Sequence, residues 1–486
     1  MNQAADLRAM IDYLQTGDDL LVIDGQVDPV HEMSGLMKAL EGGPALLFNN
    51  VKGYPGQRVI ANIYAERHRI AGLFGTESEY IARRLAEAIK SPVDPVEVSA
   101  APCQDEVITD NIDLMQLMPV PRTTEEDTAH VITGAVAMVK LPDTGTFNLS
   151  YHRLSVTDKD RTTIAINPAG HLFHALRQHE GRCPITINIG FSAAGMLAAG
   201  GATSQTITPV GYSELGFAGS LQGRPMEFVK AKTQDAYSIA DAEWVLEGYI
   251  DLNHRSSEDV AGGVKGYLMP EAGGYMGESH TLPTFHVTAV THRKDPIYYF
   301  PIGGANETVN LMGLPAEASV YDICKRYQPR LFDTCAALPG MRGVGGVVLR
   351  VRKEKELDDA LVNNLVLAAF AGHADLTWVI AVDEDVDMLD ANDVMWAIMS
   401  RMNPKDDVLI TPLAKETSLT QRGGKFATGH KMGYNATYPF AMREGGRFRR
   451  PQFPAVDLDQ WLTPEQRLKV KAQQDDYAKS IARRRR

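Results

Sequence analysis

The spacing of apolar residues changes twice along the chain. Helix and strand patterns alternate from residue 1 to about residue 115, beginning with Leu7, Met10, Ile11 and Leu14, which recur at helical spacing before Gly17. This spacing predicts an amphipathic first helix. The pattern then predicts, in order, the strand DDLLVID, a helix around residues 36–40, the strand GPALLFNNV and a helix over residues 81–89.

A second pattern of apolar and polar residues extends from about residue 120 to about residue 320. Apolar and polar residues alternate there in short runs separated by glycine-rich turns. Many strands in succession favour a β-barrel or a sandwich. The runs are VITGAVAMVK, FNLSYHRLSV, CPITINIG, MEFVKA, WVLEGYI and FHVTAVTH.

Helix and strand patterns alternate again from about residue 321 to residue 440, which predicts an open α/β layer. The segments are VGGVVLRV, ALVNNLVLAAF, TWVIAVDEDVD and ANDVMWAIMSRM. Further on, Thr463 as an N-cap and Pro464 in the first turn predict a terminal helix. The chain ends in four arginines after that helix.

The composition narrows the classes of function. Of the 486 residues, 44% are hydrophobic and 23% are charged, as in soluble globular proteins. The formal net charge of −12 argues against a nucleic-acid partner. Four scattered cysteines without a C-x-x-C spacing indicate a reduced, cytoplasmic protein. The first segment does not read as a signal peptide and no apolar run reaches membrane-spanning length, so we expect no membrane partner.

The strand GTFNLSYHRLSV carries polar groups on both faces. Asn148, Ser150 and His152 share one side of the predicted strand, whereas Tyr151 and Arg153 share the other. A strand at the edge of a sheet, with both faces exposed to solvent, would explain this pattern. A functional site that needs an amide, a hydroxyl, an imidazole and a guanidinium would explain it equally well.

A series of motifs spread over nearly the whole chain bears on that choice. In chain order they are FNLSYHR, INPAGHLFHAL, GYSELGFAGSLQGRPMEFVKA, AEWVLEGYI, MPEAGGYMGE, VIAVDEDVDMLDANDVMWAIMSRMNP and HKMGYNAT. The series resembles the successive landmarks of the UbiD family of reversible decarboxylases. The segments NNVKGYPGQRV and MPEAGGYMGESHTLP are most similar to the branch that acts on phenolic acids such as protocatechuate.

The resemblance implies an α/β (α+β) fold and four regions. These are an N-terminal α/β domain (1–120), a split β-barrel that binds flavin (121–320), a C-terminal α/β domain (321–455) and a helix with a basic tail (456–486). Family members are usually dimers or hexamers, so a homodimer or homohexamer is expected. A flavin prenyltransferase would supply the cofactor.

The cofactor implied by the resemblance is prenylated FMN, whose phosphate is bridged to Mn²⁺ or Mg²⁺, with K⁺ as a further expected ion. Residue by residue, the metal-ligand positions fall on Asn148, His171 and Glu227, and Glu214 is the second choice for the carboxylate. An amide, an imidazole and a carboxylate suit a hard divalent cation. The other positions expected to contact the cofactor are Ser150, Tyr151, His152, Arg153, Gly170 and Lys431.

The resemblance also implies an arginine and two glutamates as catalytic residues. Arg153 ends the NLSYHR motif, Glu271 lies in PEAGG and Glu278 lies in YMGE. Many relatives read E-G-P-F-G-E, with five residues from Glu to Glu, whereas Glu271 and Glu278 are seven apart. Asn435 stands where many relatives have Asp.

These residues predict a reversible, non-oxidative decarboxylase of an aromatic, phenolic or heteroaromatic carboxylic acid. Arg153 would orient the carboxylate that leaves as CO₂, and Glu278 would donate the proton that replaces it. Two other classes stay open. A flavin-dependent oxidoreductase would need a redox partner or a nicotinamide site, and the sequence shows neither. A non-catalytic subunit of a larger carboxylase would be expected to lack the acids that this chain retains.

Overall fold

A computed structural model describes residues 5–168, 170–200, 207–338, 345–415, 428–443, 446–451 and 453–483. Of these, residue 413 and residues 474–483 are described by their backbone alone. The chain divides into two compact units, Met1–Phe440 and Ala441–Arg486. The predicted boundaries at residues 120, 320 and 455 stay predictions.

The N-terminal part of the larger unit forms the predicted alternation of helices and strands. Leu7, Met10, Ile11 and Leu14 are all buried, because their spacing puts them on one face of the first helix. Its elements are α1 (Leu7–Thr16), β1 (Leu20–Ile23), α2 (Glu32–Ala39), β2 (Ala45–Phe48), β3 (Arg58–Ala61), α3 (Arg67–Leu73), α4 (Ile81–Lys90), β4 (Val96–Val98), β5 (Glu106–Ile108) and α5 (Leu114–Leu117).

The central part is mostly strands, as predicted. Its elements are β6 (Val131–Ile132), β7 (Val136–Lys140), β8 (Phe147–Tyr151), β9 (Leu154–Asp158), β10 (Arg161–Thr163), α6 (His171–Leu176), β11 (Arg182–Ile189), α7 (Ala193–Ala198), α8 (Glu214–Gln222), β12 (Glu227–Lys230), β13 (Tyr237–Ile239), β14 (Trp244–Ser257), β15 (Tyr267–Pro270), β16 (Met276–Glu278), β17 (Thr281–His292) and β18 (Ile297–Tyr299).

Most of these strands join one nine-stranded sheet that curls into a half-barrel. The order is β6-β9-β10-β17-β14-β11-β7-β8, and β5 pairs with β17. Strand β18 extends the sheet of β1, β2 and β3, and β4 joins β12 and β13 in a separate sheet. Strands β15 and β16 form a hairpin. The predicted fold class is confirmed, and the barrel-like alternative is favoured over the sandwich.

One sequence prediction in this sheet is wrong. FNLSYHRLSV forms two strands, β8 and β9, with a break at His152 and Arg153. The break lets the chain change partners, because β8 pairs with β7 whereas β9 pairs with β6 and β10. The alternation of faces expected for a single strand therefore ends at Tyr151.

The C-terminal part of the larger unit is the predicted open α/β layer. Its sheet has the order β19-β20-β21-β23-β22, in which β20, β21 and β23 are parallel and the two edge strands are antiparallel. The elements are α9 (Asn306–Tyr327), β19 (Phe332–Ala337), β20 (Gly346–Val351), α10 (Leu357–Gly372), β21 (Trp378–Asp383), α11 (Ala391–Arg401), β22 (Val408–Lys415) and β23 (Thr428–Ala436).

The smaller unit contains the terminal helix, α12 (Pro464–Arg483). The Gln466 amide donates to Thr463 Oγ1 at 3.3 Å, and Thr463 N donates to Gln466 Oε1 at 2.9 Å. This reciprocal pair confirms Thr463 as the N-cap. Arg484 to Arg486 lie outside the described residues.

Two further observations bear on the predicted environment of the protein. Within the described ranges, the search for a helix that could cross a bilayer finds none with enough length and apolar character. The cysteines are all buried and free, at positions Cys103, Cys183, Cys324 and Cys335.

Candidate active site

The polar side of β8 forms a short line of hydrogen-bonding groups. Ser150 Oγ lies 3.2 Å from Asn148 Oδ1 and 2.8 Å from His152 Nε2, and His152 Nδ1 lies 2.7 Å from the carbonyl oxygen of Ala165. Because a carbonyl only accepts, Nδ1 carries the proton and Nε2 accepts from Ser150. Burial lowers the pKa of His152 to about 4, so this imidazole is neutral. The single Ser150 proton is then engaged, which leaves Asn148 Oδ1 open to a cation.

Glu214 lies beside His171 and contacts the β8 backbone next to Asn148. It is the first residue of α8, after the N-cap Ser213. Glu214 Oε2 accepts from the Leu149 amide at 3.3 Å, and Oε1 lies 3.6 Å from His171 Nδ1. The side chains of His171 and Glu214 are only 11% and 10% exposed. The His171 imidazole and the Glu214 carboxylate therefore meet beside the β8 backbone that carries Asn148.

The structure does not bring Glu227 into this group. Glu227 begins β12, its side chain is exposed, and no hydrogen bond or ion pair joins it to Asn148 or His171 in the described part of the chain. The predicted ligand set Asn148, His171 and Glu227 stays a prediction, and Glu214, the second choice for the carboxylate, is the glutamate that lies beside His171. Among the described residues no group of three or more His, Cys, Asp or Glu side chains could hold a metal ion.

Arg153 follows the break after β8 and lies between two carboxylates. Its Nη1 donates to Glu271 Oε1 at 2.8 Å, and its Nε and Nη2 donate to the two oxygens of Glu258 at 3.3 and 3.0 Å. Nη2 also donates to the backbone oxygen of Glu278 at 3.1 Å. Three residues that the sequence motifs predicted, Arg153, Glu271 and Glu278, are therefore in contact.

The sequence motifs missed Glu258. It is fully buried, and its carboxylate also accepts from Ser155 Oγ at 3.1 Å and from the His280 amide at 2.9 Å. A buried carboxylate with this many donors is compensated for its loss of water. The surrounding RSSED has no distinctive pattern, and Arg153 is 105 residues away in sequence, so no local signal marks this residue.

The hairpin of β15 and β16 places Glu271 and Glu278. Glu271 N donates to Tyr275 O at 2.8 Å, and this turn accounts for the seven-residue spacing to Glu278. Burial raises the pKa of Glu271, and the neighbouring Arg153 partly offsets the effect. The side chain of Glu278 is exposed, and its carboxylate makes no hydrogen bond or ion pair to the residues that the structure describes.

Comparison with known proteins assigns the whole chain to one family. Models of the N-terminal, Rift-related and C-terminal domains of 3-octaprenyl-4-hydroxybenzoate carboxy-lyase (UbiD) match residues 11–89, 95–305 and 309–436. Gallate decarboxylase of Lactiplantibacillus plantarum is 32% identical, over 95% of this chain and 99% of the relative. The chain belongs to the UbiD family. Its predicted family and its predicted enzyme class, a carboxy-lyase, are confirmed.

Solved UbiD-class structures share the fold over nearly their full length. The apo 3,4-dihydroxybenzoic acid decarboxylase of Enterobacter cloacae aligns with a TM-score of 0.87 and 31% identity, over 95% of this chain and 99% of that chain. HmfF from Pelotomaculum thermopropionicum, in complex with FMN, aligns with a TM-score of 0.85 and 31% identity, over 94% of this chain and 100% of that chain. An evolved dimeric form of HmfF was solved with prenylated FMN.

Three other positions of this UbiD-family chain, Tyr151, Gly170 and Lys431, were predicted to contact the cofactor, and each has different surroundings. The Tyr151 hydroxyl is buried without a hydrogen-bond partner among the described residues, and burial raises its pKa well above the usual value. Gly170 is the N-cap of α6. Lys431 Nζ donates to the carbonyls of Ala374 and Leu376, each at 2.7 Å, after α10. These bonds join Lys431, on β23, to the loop between α10 and β21, and its assignment to the cofactor phosphate stays a prediction.

Proposed function

We propose that this protein is a reversible, non-oxidative decarboxylase of a hydroxylated aromatic acid that uses prenylated FMN and a divalent metal. The observation that carries the proposal is the position of Arg153, only five residues after Asn148 and held by Glu258 and Glu271. A guanidinium suited to a carboxylate thus follows, five residues along the chain, a group suited to a metal-bound phosphate. The phenolic-acid decarboxylases among its relatives support the substrate class.

The donor set fits Mn²⁺ or Mg²⁺. Asn148 Oδ1, His171 and Glu214 offer one neutral oxygen, one nitrogen and one anionic oxygen, which is the mixture that hard divalent cations accept. Phosphate oxygens of the cofactor would complete the shell. The Leu149 amide fixes Glu214 Oε2, so Oε1 is the oxygen that lies near His171 and would be free to bind a cation.

Loss of CO₂ from an aromatic carbon leaves charge in the plane of the ring, and prenylated FMN supplies the electron sink that this chemistry requires. The residues of the chain bind and orient the acid. Arg153 holds the carboxylate, and Glu258 fixes the guanidinium from its buried side. Orientation of this kind removes the entropy cost of reaching the reactive geometry.

Glu278 is the proton donor in this proposal. Its backbone oxygen is bound to Arg153, so its side chain starts beside the guanidinium, and its carboxylate has no bond to another described side chain that would restrain it. The Glu271 carboxylate is instead engaged with Arg153. A mobile acid next to the reacting carbon can deliver the proton that replaces CO₂, and can remove it in the carboxylation direction.

The test is co-expression with a flavin prenyltransferase, followed by the absorption spectrum and mass of the bound cofactor and by CO₂ release from a panel of acids. We expect prenylated FMN and turnover of at least one hydroxybenzoate. A protein with bound prenylated flavin that is active only on cinnamates or on furan and pyrrole acids would contradict the substrate class. A protein that binds no flavin under these conditions would contradict the cofactor.

A further inference from the structure

Nearly all N–H donors of the Arg153 guanidinium are already engaged in hydrogen bonds. Arginine has five N–H donors, one on Nε and two on each Nη. Glu258 accepts from Nε and Nη2, the Glu278 carbonyl also accepts from Nη2, and Glu271 accepts from Nη1. One N–H of Nη1 is left over. Nη1 is therefore the part of the guanidinium that a substrate carboxylate can reach, and Glu271 occupies one of its two N–H donors.

The two carboxylates beside Arg153 differ in accessibility. The Glu258 side chain is 0% exposed and that of Glu271 is 27% exposed, while Arg153 itself is 16% exposed. Glu258 therefore lies on the closed side of the guanidinium and Glu271 on its open side. An acid arriving from solvent meets the edge that Glu271 covers.

We propose that Glu271 occupies the place of the substrate carboxylate on Arg153, and that the incoming acid displaces it. This inference rests on the proposed function and adds a competition that sets affinity for the acid. In the empty site Glu271 keeps Arg153 oriented. When the substrate carboxylate arrives, Glu271 releases Nη1 and the substrate binds there. Two negative groups already face one positive group, so a third carboxylate binds only if one of them withdraws or takes up a proton.

The surroundings of Glu271 favour a movement of its side chain alone. A side chain at Gly304 would meet the Glu271 carbonyl oxygen at 2.3 Å, so the two backbones are in close contact and that of Glu271 is held in place. The charged and titratable groups that face the Glu271 carboxylate are Arg153, Glu258 and His280. Burial already raises the pKa of Glu271, which makes proton uptake easier once Arg153 turns to the substrate.

The test compares two ligands that differ only in the carboxylate, 3,4-dihydroxybenzoate and catechol. Their Kd values are measured by calorimetry on protein purified without the prenyltransferase and loaded with FMN and Mn²⁺, so that the site is filled but the acid is bound and not consumed. We expect Glu271→Ala to bind the acid about three- to fivefold more tightly than wild type, the upper part of the range for an exposed ion pair. The Kd for catechol should stay within about twofold. Glu271→Gln keeps the size of the side chain and should lie between wild type and Glu271→Ala.

The control is Glu258→Gln, which removes the same charge from the other side of the same guanidinium. It should bind the acid more weakly than wild type, because Arg153 loses its anchor. Tighter acid binding by both variants would show general electrostatic repulsion and would overturn the competition. Unchanged acid affinity in both Glu271 variants would also overturn it. If wild type binds neither ligand, the proposed function itself fails, and the two failures are thus distinguishable.

Discussion

Glu214 Oε1 lies 3.6 Å from His171 Nδ1, and the other oxygen of the same carboxylate accepts the amide of Leu149, next to Asn148. This relationship predicts which glutamate holds the metal. Glu214→Gln should purify with at least about tenfold less manganese and correspondingly less flavin, since even outer partners of a metal site are worth that much in affinity. Metal analysis and flavin absorbance per protein chain measure both.

Glu227→Gln is the matched control for that experiment. It removes the same charge from a glutamate of the neighbouring motif, but one whose side chain is exposed on β12. Its metal and flavin content should equal those of wild type. If Glu227→Gln loses the metal and Glu214→Gln keeps it, the ligand set has to be reversed.

Arg153→Lys should lower kcat/KM by about 10²-fold, the cost of a small misplacement of the substrate. An ammonium cannot span both oxygens of Glu258 and also bind Glu271, so the planar geometry around the carboxylate is lost. Metal and flavin content should not change, because Arg153 is not among the proposed metal ligands. Steady-state kinetics with the best acid of the panel provide the measurement. Wild-type kinetics would remove Arg153 from the carboxylate site.

Glu278→Gln should reduce turnover by about 10²- to 10⁴-fold, since the variant keeps the size of the side chain but cannot donate the proton. Decarboxylation rate and deuterium incorporation in D₂O report on the same step. The comparison variant is Glu271→Gln. It carries the same change on the other side of the turn between β15 and β16. If Glu278→Gln exchanges and decarboxylates at near wild-type rates while Glu271→Gln does not, Glu271 is the proton donor.

Local patterns predicted most of the fold. The four apolar residues of α1 lie on one face because helical spacing leaves no other arrangement, and the strand runs of the central sheet follow from alternation. The break between β8 and β9 was not predictable in this way. It depends on the sheet partners of the two strands, which are Val136–Lys140 on one side and Arg161–Thr163 on the other.

The site was predictable only where its residues lie inside motifs. The motifs identify Asn148, Arg153 and His171 as candidates, whereas the choice between Glu214 and Glu227 depends on which helix or strand end faces β8. Glu258 was not found at all. Its role follows from β14 running beside β17 and passing the end of β8, and no spacing in the sequence contains that information.

The neutral imidazole of His152 predicts how stability depends on pH. Burial lowers its pKa from 6.5 to about 4, so the unfolded chain binds this proton more tightly than the folded one. The stability that this residue contributes is complete above about pH 6.5 and is lost as the pH falls toward 4. At pH 5 the expected loss is about 2 kcal/mol relative to neutral pH.

His152→Asn removes the titration and keeps an amide that can donate to the Ala165 carbonyl. Between pH 7 and pH 5 the variant should lose about 2 kcal/mol less unfolding free energy than wild type, as measured by urea denaturation. His373, whose pKa burial also lowers to about 4, is present in both proteins and cancels in the difference. His68→Asn, at an exposed histidine of α3, is the matched control and should behave as wild type. An equal loss in His152→Asn and wild type would mean that the buried imidazole does not oppose protonation, and that the Ser150 and Ala165 contacts adapt to an imidazolium.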